Sequence, residues 1–159
     1  MAEPFQVRVV VRGYELDTQG HLNQAVYLLY CEHARWEHLR AAGLPQDVLI
    51  ASGAGPVVLE NTMRFRHELR GGDEVDVSCE FVWGKGKIFH VNQQIVRTDG
   101  VLAAELTSVA GLLDLTKRAL IPDPAAHFRS FADSPEVLGF SAQIGAEQLI
   151  AGSASETAP

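Results

Sequence analysis

The sequence predicts an α+β domain in which an antiparallel sheet of five or six strands curves around one long helix. Three observations carry this. The chain has 159 residues with 47% apolar content, enough for one domain with a real core and hardly enough for two. Between Tyr14 and Gly43 a polar loop runs into about five turns of apolar-rich helix. From Val57 onward apolar and polar residues alternate in four successive segments, separated by short turns that contain glycine. A sheet wrapped round the helix buries both economically.

The first element is a half-buried strand, since Phe5, Val7, Val9 and Val11 share one face at period two, opposite Gln6, Arg8 and Arg12. Asn23 then reads as an N-cap. The helix behind it carries Ala25, Val26, Leu28, Leu29, Cys31, Ala34, Trp36 and Leu39 around much of its circumference, so it is expected to be mostly buried. Its polar members come late: Glu32 is spaced to pair with Arg35 or the Trp36 indole, while Glu37, His38 and Arg40 are expected to face water. Gly43 and Pro45 stop this helix. Gln46 to Ser52 predict a short second helix, broken by Gly53 to Pro56.

On the next strand Val57, Leu59, Met63 and Phe65 oppose Glu60, Thr62, Arg64 and Arg66. The turn RGGD, Arg70 to Asp73, leads to Val75, Val77, Cys79, Phe81 and Trp83. GKGK, Gly84 to Lys87, turns into Ile88 to Arg97, and Thr98 to Gly100 turn into Val101 to Leu115, which is apolar on both faces. Consecutive strands joined this way predict an antiparallel meander. Residues 1–122 form the expected domain. Residues 123–140 are an extension in which Asp123 caps a short helix, with Phe128 and Phe131 to dock it. Residues 141–159, rich in Ala, Ser and Gly, are expected to be disordered or loosely packed.

A net charge of -7 and a pI near 5.3, without any Lys/Arg run, argue against general nucleic-acid or anionic-membrane binding. Cys31 and Cys79 stand apart with no CxxC, so neither a disulfide framework nor a structural zinc site is expected, and a reducing compartment fits. The first residues, MAEPFQ, lack the basic and apolar regions of a secretory signal, and no apolar run approaches the roughly 18 residues of a membrane span. The expectation is a cytoplasmic protein.

The loop carries Asp17, Gly20, His21 and Asn23 straight to a helix N-terminus. Free backbone N–H groups and the positive end of the helix dipole meet there, so an anion formed near Asp17 would find donors already aimed at it. In isolation Asp17 is more often a turn or capping residue. Asn23 is a cap before it is a catalyst, His21 either orders the loop or touches substrate, and Gly20 serves a positive dihedral or a close backbone approach. Other chemistries find less support. His33 and Glu37 share a helix face but lack a third metal ligand at a recognisable spacing, and no G-x-S-x-G elbow appears. GKGK joins two strands and opens no helix, so it is no Walker phosphate loop.

Taken together, Y-x-x-D-x-x-G-H-x-N-x-A-x-Y from Tyr14 to Tyr27, E-x-A-R from Glu32 to Arg35, RGGD between strands, and D-x-x-x-R-x-x-x-P-x-P from Asp114 to Pro124 resemble the hotdog-fold acyl-CoA thioesterases of the 4-hydroxybenzoyl-CoA thioesterase type. YELD with GHLNQAVYLLYCEHAR is especially similar to the acyl-ACP thioesterases of that group. The resemblance spans Phe5 to Pro124 and departs at Phe65-Arg66-His67-Glu68, where relatives often carry Pro after the strand aromatic. It implies a hotdog fold that hydrolyses an acyl-CoA or acyl-carrier-protein thioester to free acid and thiol, without metal or redox cofactor.

Within that motif Asp17 matches the catalytic carboxylate, as nucleophile or as general base on water, and the backbone N–H groups around Gln24 and Ala25 would bind the thioester oxygen. One preorganised donor of this kind is worth about 2.7–4 kcal/mol in the transition state, against about 0.3–1 kcal/mol for the dipole, so directed N–H groups must carry the stabilisation. The substrate-binding candidates are Gly20, Glu60, Arg64, Lys85 and Lys87. Glu60 either reaches the site of a neighbouring subunit or is a solvated strand residue. Lys85 and Lys87 either contact the phosphates of a CoA or carrier-protein arm or form a plain basic hairpin tip; Arg66 and Arg118 extend the basic set.

Two other readings are weaker. A hotdog hydratase or dehydratase would carry D-x-N-P-x-H, which is absent, and a non-catalytic acyl-binding protein of the same fold would have lost the carboxylate that Asp17 supplies. The wide apolar arc of the helix and the doubly apolar last strand predict a homodimer or homotetramer with a shared active site. The resemblance implies sheets joined edge to edge.

Overall fold

The computed structural model describes residues 3–140. In chain order the elements are strand β1 (Phe5–Val10), a 3-10 turn at Gly13–Glu15, helices α1 (Gln24–Ala41) and α2 (Gln46–Ala51), strands β2 (Ala54–Phe65), β3 (Glu74–Val82), β4 (Ile88–Arg97), β5 (Leu102–Asp114) and β6 (Ala119–Leu120), helix α3 (Pro124–Phe131), and a closing 3-10 turn at Pro135–Leu138. The strands form one antiparallel sheet in the order β1-β3-β4-β5-β2, with β6 paired to β5. A curled antiparallel sheet around a central helix is the α+β hotdog architecture expected from the sequence.

The order differs from a plain meander at one strand. β2 pairs with β5 rather than with β3, so the chain crosses from one side of the sheet to the other between Phe65 and Glu74. That segment is too long and too well anchored to be a hairpin turn: Leu69 is fully buried, its carbonyl accepts from the Leu22 N–H at 2.7 Å, and His21 bridges to Arg70. RGGD is thus a turn within a crossing.

Alternation places the core. Val75, Val77, Cys79 and Phe81 of β3, Phe89, Val91 and Ile95 of β4, and Ala104, Leu106, Ala110 and Leu112 of β5 face inward and pack with Tyr27, Tyr30, Cys31, Ala34 and Leu39 of α1. Gly43 ends α1 at φ 79°, and a Cβ there would lie 2.6 Å from the Cβ of Asp133, so only glycine fits. No helix among the described residues is long and apolar enough to cross a membrane.

Several expectations are corrected. His38 is buried, because its ring stacks on Phe5 at 4.3 Å and donates from Nε2 to the Val137 carbonyl at 2.7 Å. Leu28 and Leu29 stand exposed, Leu29 at 59%, so α1 is not mostly buried within one chain. Arg35 bonds Gln93 on β4 at 3.1 Å instead of Glu32. A bulge between Val58 and Glu60 breaks the alternation of β2 and places Val58, not Leu59, on the inner face with Met63 and Phe65. In the extension Asp123 caps α3 as expected, accepting from the Ala126 N–H, and Phe128 is buried; Phe131 is about half exposed, with its ring 4.6 Å from that of its neighbour His127. The expectation for residues 141–159 lies outside the described residues.

Candidate active site

The loop before α1 is held from three sides. Tyr30 of α1 donates to Glu15 Oε1 at 2.6 Å, the Glu15 carbonyl accepts from the Asn23 N–H at 3.0 Å, and Leu16 pairs with Leu22 as an antiparallel bridge. Between those two leucines the chain makes a tight turn in which the Asp17 N–H reaches the His21 carbonyl at 2.7 Å and Gly20 adopts φ 76°. The Asp17 carboxylate closes the turn: its Oδ1 accepts from the N–H groups of Gln19 at 2.9 Å and His21 at 3.1 Å. Oδ2 accepts no hydrogen bond among the described residues. One oxygen fixes the loop, and the other is uncommitted among the described residues.

At the start of α1 Asn23 acts as the predicted cap, its Oδ1 accepting from the Ala25 N–H at 3.0 Å, and the Val26 N–H reaches the Asn23 carbonyl at 2.9 Å. The expectation of two free donors therefore narrows. The Ala25 N–H is already engaged, whereas the Gln24 N–H meets no acceptor among the described residues. It stands at the positive end of an 18-residue helix.

Both features open on one cleft of about 500 Å3. Asp17, His21, Asn23 and Gln24 form one wall, Tyr27 and Leu22 the floor, and the segment from Phe65 to Glu68 the other wall. Tyr27 meets Phe65 edge to face at 5.1 Å. Burial, with the Asp17 and Glu68 carboxylates nearby, pushes the Tyr27 phenol up, so it is a neutral hydroxyl. His21 Nε2 lies 2.6 Å from Glu68 Oε2, and the Arg70 guanidinium, bonded to Glu68 at 2.9 Å, holds that carboxyl below the usual carboxylate range. An ionised Glu68 thus orients the His21 ring on the rim.

Sequence reasoning did not place Tyr27, His67 or Glu68 in the site. Tyr27 closes the motif that opens at Tyr14 but carries no role of its own in it, and Phe65 to Glu68, marked in the sequence only as a departure from the family pattern, reach the loop through the β2-to-β3 crossing. Conversely, several candidates fall elsewhere in the chain. Glu60 and Arg64 pair with Val109 and Glu105, on the face of the sheet turned away from α1. Gly20 shapes the turn without lining the cleft. Lys85 and Lys87 sit at the opposite end of the sheet: Phe65 is level with Ala104 of β5 while Ile88 is level with Gly111, about 23 Å along the strand. Among the described residues no three His, Cys, Asp or Glu side chains gather as metal ligands.

Comparison with known proteins gives a consistent picture. The sequence model of the thioesterase-like superfamily matches residues 11–138. The chain is 43% identical over 79 residues to the acyl-acyl carrier protein thioesterase ATL3, chloroplastic, of Arabidopsis thaliana, a match covering 50% of this chain and 42% of the relative. The chain therefore spans less than half the length of that plant protein. It is 29% identical over 117 residues to the long-chain acyl-CoA thioesterase FadM of Escherichia coli, covering 72% of this chain and 88% of FadM. Among solved structures, YbaW, a probable thioesterase from Escherichia coli, superposes with a TM-score of 0.68 at 25% identity, covering 74% of this chain and 89% of YbaW.

Proposed function

Because the chain belongs to the thioesterase-like superfamily, we propose that it is an acyl thioesterase that hydrolyses an acyl-CoA or acyl-carrier-protein thioester to the free acid and the thiol. The observation that carries this is the pairing, on one cleft, of a carboxylate with one uncommitted oxygen and a helix-terminal N–H without an acceptor. An acyl transfer needs both. The thioester carbonyl oxygen binds the Gln24 N–H, where the charge that develops on attack meets a fixed donor and the helix dipole. Asp17 Oδ2 either attacks the carbonyl carbon or takes a proton from the water that does. If Asp17 attacks, the C–S bond breaks to leave a mixed anhydride that water hydrolyses to the acid and the free carboxylate. If water attacks, the C–S bond breaks to give the acid directly, and on either route the thiolate takes up a proton. His21, held by Glu68, supplies a neighbouring N–H or lone pair on the rim.

The same reading includes a homodimer. Asp17 is solvent-exposed in one chain, and Val58, Leu59 and Phe65 of β2 are about half exposed, the last two at 52% and 53%. Among the described residues β2 has one ladder partner, β5, which leaves its outer edge to pair with its twin. Antiparallel pairing about the middle of β2 would set the partner's Gly55 end beside Phe65 and bring the partner's Lys85 and Lys87 round to the Asp17 cleft, where a phosphate-bearing arm would meet them.

The experiment is hydrolysis of a panel of acyl-CoA and acyl-carrier-protein thioesters, followed by a thiol-detecting reagent. Turnover of one class above the other is expected. No turnover of any thioester by the folded, full-length protein would overturn the proposal.

A further inference from the structure

A second cleft, of about 80 Å3, lies between α1 and the sheet at the end remote from Asp17. The same helix and the same strand line both clefts. Gln24 and Tyr27 with Phe65 serve the first; Trp36 and Leu39 with Val58 and Pro56 serve the second. From Gln24 to Leu39 is about 22 Å along the helix axis. A volume of this size cannot hold a whole ligand, for which sites run to several hundred Å3, but it suits the end of a chain whose head lies in the larger cleft.

Its walls are apolar where it matters. Trp36, Leu39, Phe81, Phe89, Val91 and Phe128 present rings and methyl groups. Of its polar members, Glu32 is exposed to solvent, Arg35 is tied to Gln93, and the Ser108 hydroxyl is tied to Asn61 Oδ1 at 2.7 Å. Between the clefts, on the inner face of β2, stands Met63, level with Leu106, between Phe65 at Ala104 and Asn61 at Ser108. Methionine is unbranched and adaptable, the side chain least costly to move aside for a passing chain.

One residue of the C-terminal extension reaches this lining. Phe128 of α3 is fully buried, with its ring 5.2 Å from Trp83 and 5.6 Å from Phe89. The extension is itself locked down: Trp83 Nε1 donates to the Leu138 carbonyl at 2.7 Å, and Phe140 stacks on Trp83 at 4.6 Å. We propose that this cleft takes the distal end of a straight, apolar acyl chain whose thioester lies at Asp17, and that Phe128 is the residue that sets the longest chain accepted. This rests on the thioesterase reading for its catalytic readout only, since a chain-end site also binds the free acid.

The test uses the full-length protein with Phe128→Leu, Phe128→Ala and Phe128→Trp, confirmed folded by thermal melts. Two series of increasing chain length are measured: kcat/KM for acyl thioesters, and binding of free fatty acids by quenching of Trp36 and Trp83 fluorescence. One methylene in a well-fitted apolar pocket is worth about tenfold or more in discrimination. Phe128→Leu and Phe128→Ala should therefore raise the ratio of long-chain to optimal-chain kcat/KM by about tenfold, and Phe128→Trp should lower it. Phe128→Leu removes least volume and keeps the test valid where Phe128→Ala does not fold. Length profiles that stay superimposable on wild type in folded Phe128→Leu, in both series, would overturn the proposal. A shifted binding profile without hydrolysis of any thioester would sustain it and instead remove the proposed activity.

Discussion

Replacing Asp17 by Asn separates the two tasks of its carboxylate. Oδ1 holds the turn through the N–H groups of Gln19 and His21, and an Asn carbonyl oxygen can accept both bonds in the same place. What is lost there is charge assistance: bonds to charged groups are worth about 1.5–3 kcal/mol and neutral ones about 0.5–1.5 kcal/mol, and these two are solvent-exposed. The expected cost is thus about 1–2 kcal/mol of stability, a shift of about 2–8 °C in Tm for a chain of this size. Oδ2, in contrast, becomes an amide nitrogen that neither attacks nor takes a proton. A positioned base contributes about a hundredfold to ten-thousandfold, so kcat should fall by about a hundredfold or more with little change in KM. Asp17→Ala removes both acceptors and should lose more stability than Asp17→Asn without losing more activity. The assay is thiol release from the best substrate of the panel, beside thermal melts of all three proteins. A folded Asp17→Asn protein with near-normal kcat would refute the assignment, and equal stability losses in the two variants would refute the account of the turn.

Burial holds the His38 imidazole below its ordinary value near 6.5, outweighing the bond to Val137, and its buried Nδ1 meets no partner among the described residues. The unfolded chain then binds that proton more readily, so the contribution is complete above about pH 6.5 and is lost as pH falls through the folded value; the loss of Tm on acidification should be shallower in His38→Gln, and parallel slopes would sink the idea. Reversing Lys85 and Lys87 together to Glu should raise KM for phosphate-bearing substrates, more at low salt than at high, whereas an unchanged KM at low ionic strength would exclude the hairpin as a binding surface. Sedimentation at micromolar concentration should give a dimer or larger species, reduced to monomer by Val58→Lys; a stable, active 17.3 kDa monomer would defeat the shared site.

The residues legible in the sequence are those whose partners are close in the chain. Asp17, Gly20 and Asn23 act on backbone groups within a few positions, so their spacing alone describes the turn and the cap. His21 and Glu68, or Arg35 and Gln93, meet only after the sheet has formed, and no periodicity announces them. The strands themselves were legible because period two survives in β3, β4 and β5. In β2 a single bulge moves Val58 rather than Leu59 to the inner face, whereas Glu60 and Arg64 keep the polar face that alternation with Met63 and Phe65 gives them. His38 was misread for a different reason: the helix face it occupies is covered by the last turn before residue 140, a contact with a segment about a hundred residues away. Gln93 breaks the apolar row of β4 because it answers two backbone carbonyls, of Cys31 and Ser78.

The placement of β2 links the site to assembly. Had β2 paired with β3 through RGGD, the segment from Phe65 to Glu68 would have been part of a hairpin, and the Asp17 loop would face solvent with no second wall. Crossing to the far side of β5 makes that wall and lets Leu69 anchor it beneath Leu22. It also makes β2 an edge strand, with apolar residues on its inner face that α1, packed mainly against β1 and β3, does not cover. An edge of this kind is a template for another strand. Burying several hundred Å2 of apolar surface there would contribute several kcal/mol before association costs, and it would do so beside a carboxylate that one chain leaves open to water. Excluding that water strengthens the pull of the Gln24 N–H on a developing oxyanion. An edge open to pairing and a cleft that such pairing would dry are therefore consequences of the same strand order.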